Sequence, residues 1–316
     1  MSNITNQTGN GSNLLSNGIA QSIIVYGVIS GLTILTNISL LGLIISERKL
    51  HTTSNWIMAS MFFTGIIFGL FYLLPRWTLY YQWLYKDPIA CTVLPLTGIG
   101  LIINLNLHLT LVSLDRYLCV MFPIRYKIRK TCLIVMLSVV AVWLLSILSA
   151  YLPLVTILIP LPDRCAELTS SNPLHQAYLI LIFSVLFFFP LLVLIVTYTQ
   201  ILFIVNNHQR NKIMHQRGST PISLIKRNIR AIKCMAIMIG IFILFWLPYI
   251  VSLFMFFFPG LVTSTAQESV RNLQYLAFSY PAINPLVYAY VTASLRREIG
   301  NRLRATSTLL DNIIFS

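Results

Sequence analysis

Charge is what this chain has least of. Only 9% of its 316 residues are Asp, Glu, Lys or Arg, against about 25% in a soluble domain. Carboxylates are scarcest: Glu47, Asp87, Asp115, Asp163, Glu167, Glu268, Glu298 and Asp311 are all there are, and none falls near the middle of an apolar run. There is no paired-carboxylate site, no HExxH, no nucleotide loop and no Cys/His cluster with metal-ligand spacing. The chain is therefore not expected to be an enzyme, nor to hold a cofactor or a metal. A pump or coupled transporter needs ionisable groups inside the membrane. Here these are reduced to Arg76 near one end of an apolar run and His108 within another, and no internal repeat is visible. His108 is read first as a hydrogen-bonded interhelical residue.

Hydrophobic residues make up 57% of the chain and come in long runs. Seven stretches, 22–46, 55–79, 92–116, 132–157, 176–205, 231–258 and 272–292, are each long enough to cross a bilayer core, which takes about 20 residues. Open sheet edges cannot cross lipid, and these runs do not alternate, so the spans are helices. The expected fold is an all-α membrane protein, a seven-transmembrane helix bundle. The seventh stretch holds no lysine and cannot form a retinal Schiff base.

Basic residues set the orientation. Of the 22 Lys and Arg, 18 fall in the loops and tail on one side, and only Arg76, Lys86, Arg164 and Arg271 on the other. The richer side belongs in the cytoplasm, which places the N-terminus outside and the C-terminus inside. The net charge of +14 is then a signal for the cytoplasmic leaflet, not for nucleic acid. Three N-x-[ST] sequons, at Asn3, Asn6 and Asn10, would lie where glycosyltransferases reach them. That stretch is polar and lacks a basic n-region, so the first span is expected to be an uncleaved anchor. The expected organisation is a glycosylated extracellular segment over 1–21, the bundle over 22–292, and an amphipathic helix with a cytoplasmic tail over 293–316. Of five cysteines, Cys91 and Cys165 face the oxidising side, where a disulfide between them is expected. The alternative is two unrelated thiols.

Polar and prolyl punctuation marks the inner half of the spans. Asp115-Arg116-Tyr117 ends the third. Pro190 interrupts the fifth, followed by Tyr198. FWLPY places Trp246 and Pro248 in the sixth, and NPLVY places Asn284, Pro285 and Tyr288 in the seventh. A proline removes a backbone hydrogen bond and kinks its helix, so the part beyond it can swing.

Together and in this order, these landmarks resemble the rhodopsin-like (class A) G-protein-coupled receptors over residues 20–304. Asn37, Trp143 and Phe242 also fall on the family pattern, Cys91 precedes Arg116 by the family's 25 residues, and VTASLRREIGNRL looks like its short amphipathic eighth helix. The resemblance implies a ligand entering from outside, a sixth helix pivoting near Pro248, and rearrangement of Arg116, Tyr198 and Tyr288 to admit a heterotrimeric G protein. It implies a plasma-membrane location, the bilayer as surroundings, and arrestin as a further partner.

The chain departs from the family pattern in one region. The second-helix Asp falls at Gly65, the third-helix Ser at Leu105, and the seventh-helix Asn-Ser pair at Tyr280-Pro281. A hard cation needs a carboxylate, so no sodium site is expected. Gly65 would make room for Tyr280, whose hydroxyl would reach Asn37 or Asn284. Where aminergic receptors carry an Asp, this chain has Gly98. By family register Gly98, Ile99, Ile102, Phe183, Trp246, Tyr249, Leu253, Gln274 and Phe278 face the ligand chamber, with Arg76 and Glu167 at its rim. Such an apolar chamber with few polar handles favours a small apolar ligand. Tyr249 and Gln274 are its best hydrogen-bonding residues, or a structural link between helices. PAINPLVY resembles odorant-type receptors, whose other motifs are missing. An odorant-type chemoreceptor and a non-signalling scaffold stand as the alternatives.

Overall fold

A computed structural model describes residues 5–75, 88–122, 126, 128, 131–153, 173–189, 191–193, 195–196, 199–200, 203, 222–256 and 264–314. Helix α1 is Thr5–Ser46. Helix α2, Thr53–Ile67, continues as a π turn over Phe68–Leu73. Helices α3 and α4 are Pro88–Met121 and Cys132–Pro153. Helix α5, Pro173–Phe183, also runs into a π turn, Ser184–Phe188. Helices α6, α7 and α8 are Ile222–Phe256, Ser264–Val291 and Ala293–Ile314.

Local chemistry sets several of these ends. Helices α3 and α5 both begin on proline, whose missing N–H is unpaired at a first helical position anyway. The Thr52 hydroxyl caps α2 by accepting from the Asn55 N–H at 3.2 Å. Inside the spans, Thr36, Ser39, Ser138 and Ser149 donate to the carbonyl four residues back, so each hydroxyl is satisfied within its own helix.

Among the described residues, four helices are long and apolar enough to cross a membrane: Ala20–Ser46, Thr53–Leu73, Val93–Cys119 and Cys132–Leu152. The apolar stretch Ala236–Ser252 of α6 is shorter. Helix α7 spans 28 residues but carries Arg271, Asn272, Gln274 and Asn284; Arg271 and Asn272 are exposed, while Gln274 and Asn284 bond to other helices. Helix α1 has 42 residues, about 63 Å at 1.5 Å per residue. It therefore extends well beyond its apolar run, and its first turns carry Asn6 and Asn10. Asn3 lies outside the described residues.

Helix α7 packs between α1 and α6, and α3 runs through the centre against α2, α4, α5 and α6. Close crossings rest on small residues. A Cβ on Gly100 would lie 2.8 Å from the Ala150 Cβ, so α3 and α4 nearly touch there. One polar network ties three helices. The Trp143 indole donates to Ser60 Oγ at 3.0 Å, and Ser60 Oγ lies 2.9 Å from His108 Nε2. His108 Nδ1 lies 2.9 Å from the Asn104 carbonyl. A carbonyl only accepts, so Nδ1 carries the proton, Nε2 accepts, and Ser60 donates to it. His108 is fully buried and is an interhelical strut.

Candidate ligand chamber and inner-face switch

The half of the bundle expected to face outward is filled with aromatic rings around Phe278 of α7. Phe68 and Tyr72 from the α2 π turn, Trp246 and Tyr249 from α6, and Tyr26 from α1 all pack on it, with centroids 5.5–6.1 Å away. The π turn matters because one extra residue per turn rotates everything beyond it to a new face. It is held by Ser30, which donates to the Gly69 carbonyl at 3.0 Å. Tyr72 then lies directly over Gly98: a Cβ there would meet Tyr72 Cε2 at 2.2 Å. Gln274 bridges two helices, accepting from the Tyr26 hydroxyl at 2.7 Å and donating to the Tyr249 hydroxyl at 3.0 Å. Ser22 and Tyr275 add a second link between α1 and α7 at 2.7 Å. Ile99 and Ile102 stand on α3 beside this cluster, half-buried and buried. Arg76 and Glu167 lie outside the described residues, as do the side chains of Phe183 and Leu253. Sequence reasoning missed Tyr26, Phe68 and Tyr72. An aromatic in an apolar run has no mark that distinguishes an inward from a lipid-facing position, and the π turn breaks the 3.6-residue register that assigns faces.

Below the chamber, aromatic contacts continue inward. Trp246 is fully buried, and its indole Nε1 has no hydrogen-bond partner among the described residues. It packs on Phe242 at 6.3 Å, and Phe242 packs on Tyr280 at 5.2 Å. The Tyr280 hydroxyl donates to Asn284 Oδ1 at 3.2 Å. It is Asn37, not Tyr280, that fills the space opened by Gly65: a Cβ on Gly65 would lie 2.5 Å from Asn37 Oδ1. The reason lies in α7. Pro285 has no N–H, so the carbonyl four residues earlier loses its helical donor. That carbonyl belongs to Pro281, and Asn37 Nδ2 donates to it at 2.8 Å while also donating to the Thr33 carbonyl at 2.7 Å. Leu105 is buried in the core. With a carboxamide where a carboxylate would begin, agonist affinity is expected to be the same in sodium chloride and in an organic-cation salt of equal ionic strength. A sodium-specific drop would contradict this.

At the end expected to face the cytoplasm, Asp115 accepts from the Ser54 hydroxyl at 2.7 Å and from the Tyr126 hydroxyl at 2.9 Å. Burial and the Asp115 carboxylate hold the Tyr126 phenol above the ordinary tyrosine range, so Tyr126 stays a donor. Among the described residues, no ion pair joins Asp115 to Arg116, and the buried Arg116 Nε has no hydrogen-bond partner. Tyr117 is half-buried beside it. Tyr288 donates to Asn55 Oδ1 at 2.7 Å, and Asn55 Nδ2 donates to the Leu50 carbonyl at 2.7 Å. Asn55 therefore fastens the inner end of α7 to α2 and the first inner turn, a role its sequence position did not reveal. A cavity of about 530 Å³ opens beside this cluster, with Ile57, Leu118, Phe122 and Tyr126 among its walls. Pro248 and Pro285 lie inside α6 and α7. Tyr198, Pro190 and Cys165 fall outside the described residues, and Cys91 is in α3 with its side chain outside them.

Residues 36–288 match the family described as 7 transmembrane receptor (rhodopsin family). The chain belongs to this family. The receptor is 28% identical over 301 residues to trace amine-associated receptor 7e of Mus musculus, covering 90% of this chain and 82% of that one. It is 27% identical over 287 residues to the histamine H2 receptor of Homo sapiens, covering 86% and 76%. It is thus a class A G-protein-coupled receptor of the cell surface, a multi-pass membrane protein of the plasma membrane, and not an enzyme. The pump or transporter reading falls with that assignment.

Proposed function

We propose that the receptor holds its N-terminus outside, binds a small neutral ligand in the aromatic chamber, and transmits that binding to a heterotrimeric G protein by swinging the inner end of α6. Arrestin would meet the same inner face. The observation that carries this is the unbroken contact from Phe278 through Trp246 and Phe242 to Tyr280 and Asn284. A shift of Trp246 under ligand has a packed route to the α7 proline, because tightly packed interiors pass on displacement instead of absorbing it.

The ligand class follows from the walls. The relatives named above are receptors for a trace amine and for histamine by name. A protonated amine leaving water needs an anionic partner. The described residues of the chamber include no carboxylate: Glu268 is exposed at the outer end of α7, and Glu47, Asp115 and Glu298 belong to the inner end. The chamber instead holds the Trp246 N–H, which has no partner among the described residues and suits an apolar body bearing one hydrogen-bond acceptor. A ligand binding the open state better than the closed one then shifts the equilibrium by that difference.

The mechanism is tested by spin labels at Leu118 and Ala236, on α3 and α6, in receptor reconstituted with and without nucleotide-free G protein. The expected result is a longer separation with G protein, and a smaller change in Pro248→Ala. An unchanged separation would overturn the pivot.

A further inference from the structure

We propose that Tyr72 is the specificity residue of the chamber, and that its ring excludes protonated amines by occupying the place where an anionic anchor on α3 would have to stand. This rests on the functional reading above and adds the residue that decides the ligand class.

Several independent features fix that ring. The π turn at Phe68–Leu73 turns α2 so that Tyr72 faces inward, 4% exposed. The turn depends on Gly69, where a Cβ would lie 2.7 Å from Ile34 Cγ1, and on Ser30 taking the Gly69 carbonyl. Phe68 and Phe278 hold the ring from two sides at 5.2 and 5.6 Å. Gly98 completes the seat. A Cβ there would come within 2.2, 2.4 and 2.8 Å of three Tyr72 ring atoms, and such contacts require something to move. The ring is packed between Phe68 of α2 and Phe278 of α7, so making room at Gly98 disturbs both neighbours. Gly98 therefore holds Tyr72 and presents no open surface of its own. Any side chain at 98 competes with that ring, and a carboxylate most of all, because it would also be stripped of water against an aromatic face.

The test compares wild type with Gly98→Asp, Tyr72→Ala and the double variant Tyr72→Ala/Gly98→Asp, in cells at matched surface levels. The probes are 2-phenylethylamine and histamine, read as G-protein activation. Wild type and Gly98→Asp are expected to ignore both amines. The double variant is expected to respond to 2-phenylethylamine at concentrations at least about tenfold lower than any other form, a factor worth about 1.4 kcal/mol. A wild-type response of similar potency would overturn the proposal, and so would Gly98→Asp responding as well as the double variant. A double variant that keeps its basal signal but ignores the amine would overturn it too.

A second measurement needs neither ligand nor signalling, so it stands if the double variant fails to fold or if the coupling mechanism is wrong. The thermal midpoint of purified receptor is expected to fall in Gly98→Ala. The same change is expected to leave it unaltered when made in Tyr72→Ala. Equal effects in both backgrounds would show that Tyr72 does not hold that space. Loss of basal signal with an intact thermal cycle would instead count against the G-protein reading.

Discussion

Gly65→Ala lowers the stability of the purified receptor by about 1–3 kcal/mol, the usual range for overpacking a tight interior. The added methyl would lie 2.5 Å from Asn37 Oδ1 and 2.7 Å from its carboxamide carbon. Asn37 cannot swing away freely, because its Nδ2 serves two carbonyls, those of Thr33 and Pro281. Displacing it leaves the Pro281 carbonyl buried and unpaired, which adds to the loss. Gly65→Asp is expected to be worse still, since it brings a carboxylate into the same space, where the nearby donor Asn37 Nδ2 already serves two carbonyls. The check is the thermal midpoint in nanodiscs beside surface level in cells. Made in an Asn37→Ala background, Gly65→Ala should cost much less, because the two residues share one space and their effects do not add. A Gly65→Asp receptor with wild-type stability and sodium-sensitive agonist binding would contradict the account of this region.

Asn55→Leu raises basal G-protein activation by about two- to tenfold. It removes the Tyr288-to-Asn55 bond at 2.7 Å, between groups only 2% and 5% exposed, and with it the bond from Asn55 Nδ2 to the Leu50 carbonyl, which lies within the first turn and does not involve α7. A net hydrogen bond contributes about 0.5–1.5 kcal/mol, and about 1.4 kcal/mol is a factor of ten in a two-state equilibrium. On the proposed switch, in which Tyr288 leaves α2, this bond restrains the resting state, and losing it favours any state in which Tyr288 has moved. Arg116→Ala in the same background should remove the rise, because the signal still passes through the inner face. Unchanged or lower basal activation at matched surface level would show that the bond does not restrain the switch.

The parts legible in the sequence were those written in long-range composition. Apolar runs mark spans because lipid leaves the backbone no other partner than itself, and α2, α3 and α4 lie close to the stretches read as 55–79, 92–116 and 132–157. Helix ends were less legible. Helix α1 begins at Thr5 and α8 reaches Ile314, well past the residues whose hydropathy marks them, because a helix continues wherever its backbone bonds are made. Within the site, the missing carboxylate at Gly65 was visible, but its replacement was not. That depends on Pro285 freeing a carbonyl in α7 and on Asn37 of α1 reaching it, an interaction across 244 positions. Tyr72 was hidden for a different reason: a π turn changes the face of every residue after it, and no periodicity in the sequence records that turn. Asn55 resembles an ordinary polar residue at a helix start until Tyr288 is placed beside it.

The most direct test of the central claim, that this chain is a working transducer switched through its inner face, is basal G-protein activation by wild type and Arg116→Ala at matched surface levels. Arg116 has a buried guanidinium nitrogen without a partner and no bond to Asp115 among the described residues, so its loss should spare the fold. The account predicts a measurable wild-type signal that disappears in the variant. A wild-type signal that survives unchanged in Arg116→Ala would contradict it.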